Sequence, residues 1–155
     1  MISSQKELFN SNQRENLFKM LKFMLDTNIV IYVIKRRPVE LIDVFNKHAD
    51  QMCISSITLA ELIHGAEKSS IPEKNMQRIE DFISRLEVLS YDNEAAMHYG
   101  DIRANLERKG TPIGVNDLHI AGHARSRGLI IVTNNTKEFI RIEGLRITDW
   151  TVGES

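Results

Sequence analysis

Four carboxylates fall where a catalytic site could use them. Asp26 interrupts the apolar stretch FMLDTNIVIYV, Glu61 lies inside ISSITLAELIHGAEKS, Asp117 inside TPIGVNDLHIAGHARSRG, and Glu138 inside VTNNTKEF. Read singly, each has a local explanation. Asp26 can cap a helix, Asp117 can face a helix dipole, and Glu61 and Glu138 can be solvated surface. Read together, they come from four separate segments, each beside a short apolar run of strand character. Groups just beyond the carboxyl ends of parallel strands gather in one crevice, where ligands bind. Crowded carboxylates repel and raise one another's pKa unless something positive neutralises them. A divalent ion does this, and an all-oxygen donor set selects Mg²⁺ or Mn²⁺. Such sites bind a phosphate oxygen while preparing a water for attack, so the chemistry implied is metal-dependent hydrolysis of a phosphodiester.

The elements that must position these acids follow from periodicity and punctuation. Lys22 to Leu25 reads as a buried strand, and Asp26 or Asn28 caps the helix after it. Pro38 opens a second helix, with Val39, Ile42, Val44 and Phe45 on its apolar face. MCIS is a second strand, and Ser55 or Ser56 caps the helix that carries Glu61. Pro72 starts a helix with Met76, Ile79, Phe82, Ile83 and Leu86 at helical spacing, and VLSY is a short strand. Asn93 caps a helix ending near Gly110, with Arg108 and Lys109 in its last turn. Asp117 opens the next helix, and LIIVT is the clearest buried strand. Alternation of this kind implies an α/β sandwich around a mostly parallel sheet.

Composition narrows the setting without naming the activity. The chain has 155 residues, 42% hydrophobic and 26% charged, with three prolines and eight glycines, which fits one globular domain and excludes a disordered or fibrous chain. Its single cysteine, Cys53, has no partner for an internal disulfide and sits among apolar neighbours, so a reducing, cytoplasmic setting is expected. No apolar run is long enough to span a membrane, and the first residues lack the apolar core of a secretory signal. Residues 1–19, rich in Ser, Asn, Gln and charge, read as an N-terminal extension, and residues 20–152 as the domain.

The motifs MLDTN, ISSITLAELIHGAEKS, TPIGVNDLHIAGHARSRGLIIVTNNTKEF and LRITDW stand in an order that resembles the PIN-domain ribonucleases, in particular the VapC toxins of type II toxin–antitoxin modules. The resemblance runs from about Met20 to Trp150. It implies a three-layer α/β sandwich and a Mg²⁺- or Mn²⁺-dependent endoribonuclease restrained by a VapB-type antitoxin. Carried over by position, Asp26 and Asp117 are direct metal ligands, and Glu61 helps to bind metal or to orient and deprotonate the water. Thr27 and Asn28 flank the first acid, and Asn116, Thr133 and Asn135 complete a set that touches substrate or supports the ligands. Where many PIN domains place an aspartate, this chain has Asn135. The fourth ligand is then either Glu138, acting through a water, or Asn135 as a neutral donor.

An RNA substrate needs positive charge near the acids. The candidates are Lys35, Arg36, Arg37, Arg103, Arg108, Lys109, Arg125, Arg127, Lys137 and Arg141, although the formal net charge is −1. Aromatic residues are scarce, so a folded RNA read by shape fits better than a long single strand. The resemblance implies tRNA cleaved in the anticodon stem-loop, with initiator tRNA favoured. It also implies a toxin homodimer and a toxin–antitoxin hetero-oligomer. Three rivals stand beside this reading. A haloacid-dehalogenase-type phosphatase needs a second aspartate at the position of Asn28. A zinc site would use His119 and His123, four apart on one helix, and His119 could instead touch phosphate. A PIN-like module without catalysis would lack a core acid.

Overall fold

The computed structural model describes residues 20–153. The expected N-terminal extension, residues 1–19, lies outside them. Twelve elements alternate in order: β1 (Phe23–Leu25), α1 (Thr27–Lys35), α2 (Val39–Lys47), β2 (Met52–Ser55), α3 (Ser56–Glu67), α4 (Pro72–Ile83), β3 (Glu87–Leu89), α5 (Asn93–Arg108), α6 (Val115–Ser126), β4 (Ile130–Val132), α7 (Thr136–Phe139) and β5 (Ile147–Thr148).

The five strands run β3-β2-β1-β4-β5, and every registered pair is parallel. The expected mostly parallel sheet is therefore parallel throughout the described residues. A parallel sheet must be covered on both faces, and the residues of β1 divide accordingly. Phe23 and Leu25 pack into a cluster with Val30, Leu41, Phe45, Leu62, Phe82 and Trp150, from α1 to α4 and the C-terminal segment. Met24 points the other way, into a cluster with Ile102, Leu106, Leu118, Ile120 and Phe139, from α5, α6 and α7. The result is three layers. Gly122 lets α5 and α6 approach closely, since a Cβ there would lie 2.8 Å from the Tyr99 backbone nitrogen.

Several local expectations shift. Asp92, not Asn93, caps α5, its carboxylate accepting the Ala95 N–H at 3.0 Å. An aspartate in extended backbone one residue earlier reaches the same free N–H groups. The third strand spans Glu87–Leu89, shorter at its end than VLSY. Glu138 lies in a four-residue helix, and LRITDW supplies an edge strand of two residues, too short to leave a periodic signal. Trp150 anchors that edge, 2% exposed and edge-on to Phe23 with ring centroids 4.8 Å apart. Among the described residues no helix is long and apolar enough to cross a membrane.

The strand order sets the position of the site. From β1 the chain steps outward to β2 and β3, then returns to the other side of β1 for β4 and β5. The reversal between β1 and β4 opens a crevice at their carboxyl ends. Asp26 follows β1 and Thr133 follows β4.

Candidate active site

Asp26 both caps and faces the crevice. Its backbone N–H extends the pairing of β1 to the Val132 carbonyl at 3.0 Å, and its carboxylate accepts the Ile29 N–H of α1 at 2.9 Å. The Thr133 hydroxyl donates to it as well. The side chain is only 3% exposed. Burial pushes its pKa up to about 6 against those two hydrogen bonds, and the charges of Glu61 and Asp149 push the same way.

The other acids arrive on three helices. Glu61 is carried by α3, which starts from the Ser55 cap at the end of β2, and its Oε1 accepts the Thr27 hydroxyl at 2.7 Å. The buried Thr58 hydroxyl lies 3.4 Å from that of Thr27. Asp117 sits in the first turn of α6, after Gly114, which offers no side-chain cap. A helix N-terminus favours a carboxylate, yet its pKa is raised to about 7. The causes are burial first, then the charges of Asp26 and Glu138, a hydrogen bond shared with Glu138, and the charge of Glu61. Glu138 is held by the Asn135 side-chain amide at 2.9 Å, while the Asn135 N–H donates to Thr133 Oγ1 at 2.9 Å. Asn28 and Asn116 are exposed beside the crevice.

The fold thus brings Asp26, Glu61, Asp117 and Glu138 to one end of the sheet, with Thr27, Thr133 and Asn135 orienting them. Asp149, at the end of β5, is an acid that the sequence reading missed. Its place follows from β4 and β5, where Thr133 N–H bonds the Thr148 carbonyl. The acid-after-strand pattern of LDT repeats in ITD, but a strand of two residues hides it. None of these five acids joins a salt bridge among the described residues. Nor does any group of three or more His, Cys, Asp and Glu side chains there stand in ready-made metal-holding geometry. The donor chemistry nonetheless suits a hard cation: oxygen ligands only, partly dry, with charge left unbalanced.

The histidines pack as lone helix histidines commonly do, and neither rival role for them is met. His119 does not reach the acids: its Nδ1 pairs with the Tyr91 hydroxyl at 2.8 Å and its ring stacks on Tyr99 at 4.1 Å. His123 is buried against Ser55, so the two rings share no metal site. Four of the candidate RNA-binding cations are committed elsewhere. Arg103 pairs with Glu107, Lys109 with Glu143, Arg125 with Asp101 and Arg127 with Asp92. Lys35, Arg36, Arg37, Lys137 and Arg141 are exposed and form no salt bridge among the described residues.

Residues 23–145 match the family model of the PIN domain. The tRNA(fMet)-specific endonuclease VapC of Salmonella typhimurium is 63% identical over 131 residues, 84% of this chain and 99% of that protein. Ribonuclease VapC2 of Haemophilus influenzae is 60% identical over the same shares of both chains. Among solved structures, DNA-bound VapBC from Salmonella typhimurium aligns with a TM-score of 0.81 at 62% identity, covering 84% of this chain and 99% of that one. VapBC2 from Rickettsia felis, bound to a DNA fragment from its promoter, aligns at 0.79 with 41% identity over the same shares.

Proposed function

We propose, because the chain belongs to the PIN-domain family and within it to the VapC ribonucleases, that it is the toxin of a type II toxin–antitoxin module. It cleaves RNA internally, its substrate is initiator tRNA, cut in the anticodon stem-loop, and a VapB-type antitoxin restrains it. A toxin homodimer, a hetero-oligomer with the antitoxin and a cytoplasmic setting belong to the same reading. The observation that carries it is the convergence of Asp26, Glu61, Asp117 and Glu138, unneutralised, at the sheet's switch point in a chain so close to tRNA(fMet)-specific relatives.

Asp26, Asp117 and Glu61 would hold Mg²⁺ or Mn²⁺, with Glu138 and its Asn135 partner completing the set. When bound, the cation supplies neutralisation of the carboxylates and Lewis acidity toward a phosphate oxygen. The protein's own part is orientation. Ile29 N–H and Thr133 fix Asp26, so the first carboxylate is aimed before substrate arrives. Thr27 occupies Oε1 of Glu61 and leaves Oε2 to accept a proton from the attacking water. Asn28 and Asn116 border the crevice as donors for a phosphate oxygen.

The test is direct. Purified protein with Mg²⁺ or Mn²⁺ and bulk tRNA should yield discrete fragments, abolished by chelation and by Asp26→Asn or Asp117→Asn. Metal-independent cleavage, or cleavage that survives both substitutions, rules out the mechanism. Growth arrest on expression without antitoxin, lost in Asp117→Asn, separates a nuclease from a PIN-like binding module.

A further inference from the structure

Helix α6 carries two groups with no common partner. Asp117, in its first turn, enters the acid site. Six residues on, His123 is fully buried and its Nδ1 meets the Ser55 hydroxyl at 2.8 Å. Ser55 is the last residue of β2 and the cap of α3, its oxygen accepting the Ile57 N–H at 3.1 Å. The helix it starts is the one that carries Glu61. The next residue ties the start of α3 to the segment between β3 and α5, since Ser56 Oγ accepts the Tyr91 N–H at 3.0 Å. The Tyr91 ring stands edge-on to His123, with centroids 5.6 Å apart.

The imidazole is costly to keep there. Burial drives its pKa down to about 4, with Asp92 opposing and Arg127 reinforcing, so the ring is neutral at physiological pH. Its Nε2 is buried and has no hydrogen-bond partner among the described residues. Unpartnered buried polar atoms are rare and destabilising, and an apolar side chain would avoid the loss. What the histidine keeps, and an apolar residue would not, is the contact to Ser55.

We infer that His123 is a positioning residue for the acid site, its bond to Ser55 tying α6 to the start of α3 and so setting the spacing between Asp117 and Glu61. It touches neither substrate nor carboxylate. The inference rests on the ribonuclease reading above. If that reading fails, the wild type cleaves nothing; if this one fails, the wild type is active and His123 is dispensable.

The test uses the full chain with tRNA and Mg²⁺, measuring kcat, KM and thermal midpoint in parallel. Asparagine places an amide near the position of Nδ1 and can keep the Ser55 bond, whereas glutamine keeps only the remote position of Nε2. His123→Gln and His123→Leu should lower kcat by about 10–100-fold with KM unchanged, as expected for displaced catalytic groups. His123→Leu should do so with a thermal midpoint at or above that of wild type, and His123→Asn should recover most of the rate. Ser55→Ala should lower kcat as well, and adding His123→Leu to it should cost little more. Full activity in His123→Leu overturns the inference, as does His123→Asn no faster than His123→Gln, or rate losses that follow thermal midpoints across the series. Should His123→Leu fail to fold, the Asn–Gln contrast and Ser55→Ala decide.

Discussion

On the flank built from α5, α6 and the turn before β5, acids have cations. Arg125 reaches Asp101 at 2.6 Å and also binds His98 and the Glu143 carbonyl, Arg127 reaches Asp92 at 2.6 Å, and Lys109 holds Glu143. These carboxyls are held below their usual range, Asp101 and Glu143 chiefly by the cation's hydrogen bond and Asp92 chiefly by the Ala95 N–H. At the carboxyl ends of β1 and β4 the direction reverses. Asp26 is pushed up to about 6 and Asp117 to about 7, mainly by burial. The same chain balances charge where it needs only solubility and leaves it unbalanced where α1, α3, α6 and α7 converge. Breaches of local charge pairing are expected at functional sites, which makes this end of the sheet the candidate.

The sharpest way to break this contrast is to remove the unbalanced charge. Asp26→Asn keeps a good helix cap and Asp117→Asn keeps the shape, so each should fold. Each should lower cleavage by about 10²–10⁴-fold, the range for a lost acid–base or ligand group. Without divalent metal each should also raise the thermal midpoint at pH 7.5 and above, because a repelling carboxylate is gone. A variant that loses activity and stability together would make these acids structural rather than catalytic.

A pH series on the metal-free protein comes next. A carboxyl raised in the folded state contributes stability that is full below its unfolded value of about 3.8 and is lost as pH rises through the folded value. For Asp26 the window closes near pH 6 and for Asp117 near pH 7. The buried Asp26 alone should cost on the order of 2 kcal/mol between pH 4 and 8, with half-exposed Asp117 adding a smaller, solvent-screened share. Asp92, Asp101 and Glu143 work in the opposite sense, losing their contribution as pH falls below the ordinary carboxylate range. His123 loses its own as pH drops from about 6.5 to about 4. Millimolar Mg²⁺ or Mn²⁺ should flatten the alkaline limb and release protons on binding. An alkaline limb indifferent to both ions would separate the raised pKa values from any metal role.

Smaller losses should follow when the acids stay and their supports go. Thr27→Val removes the donor to Glu61, and Asn135→Ala frees Glu138. Each hydrogen bond is worth about 1 kcal/mol, so rates should fall roughly 5- to 10-fold. Equal losses in the two would make Glu138 as much a part of the site as Glu61. An unchanged Asn135→Ala rate would leave Glu138 peripheral.

Much of this was legible from residue types alone. Asp26, Asp117 and Glu61 lie beside strong strand or helix signals, and four parallel-strand segments suffice to place them at one end. Asp149 was not legible, because two residues of edge strand carry no period and its neighbour Trp150 reads only as apolar. The contacts of the histidines were not legible for a different reason. His119 and His123 share a helix, but α5 supplies Tyr99 and β2 supplies Ser55, and helical spacing does not report which neighbour each ring meets. The pairing of the basic residues was hidden likewise, since Arg125 and Arg127 meet Asp101 and Asp92 only when α6 packs.

The smallest expected effect tests that last point. Lys109 and Glu143 are exposed, and an exposed pair adds little to stability. If the α5–α6 flank is only balanced surface, Lys109→Gln and Glu143→Gln should each leave cleavage and thermal midpoint close to wild type at about 0.15 M salt, where screening is strong. The two variants discriminate because they break the same pair from opposite sides. A loss of tRNA cleavage in Lys109→Gln alone, growing as salt is lowered, would mean that the ammonium meets phosphate and that Glu143 holds it in reserve. The balanced flank would then belong to the RNA surface, and the contrast with the acid site would become one between binding and chemistry rather than between structure and function.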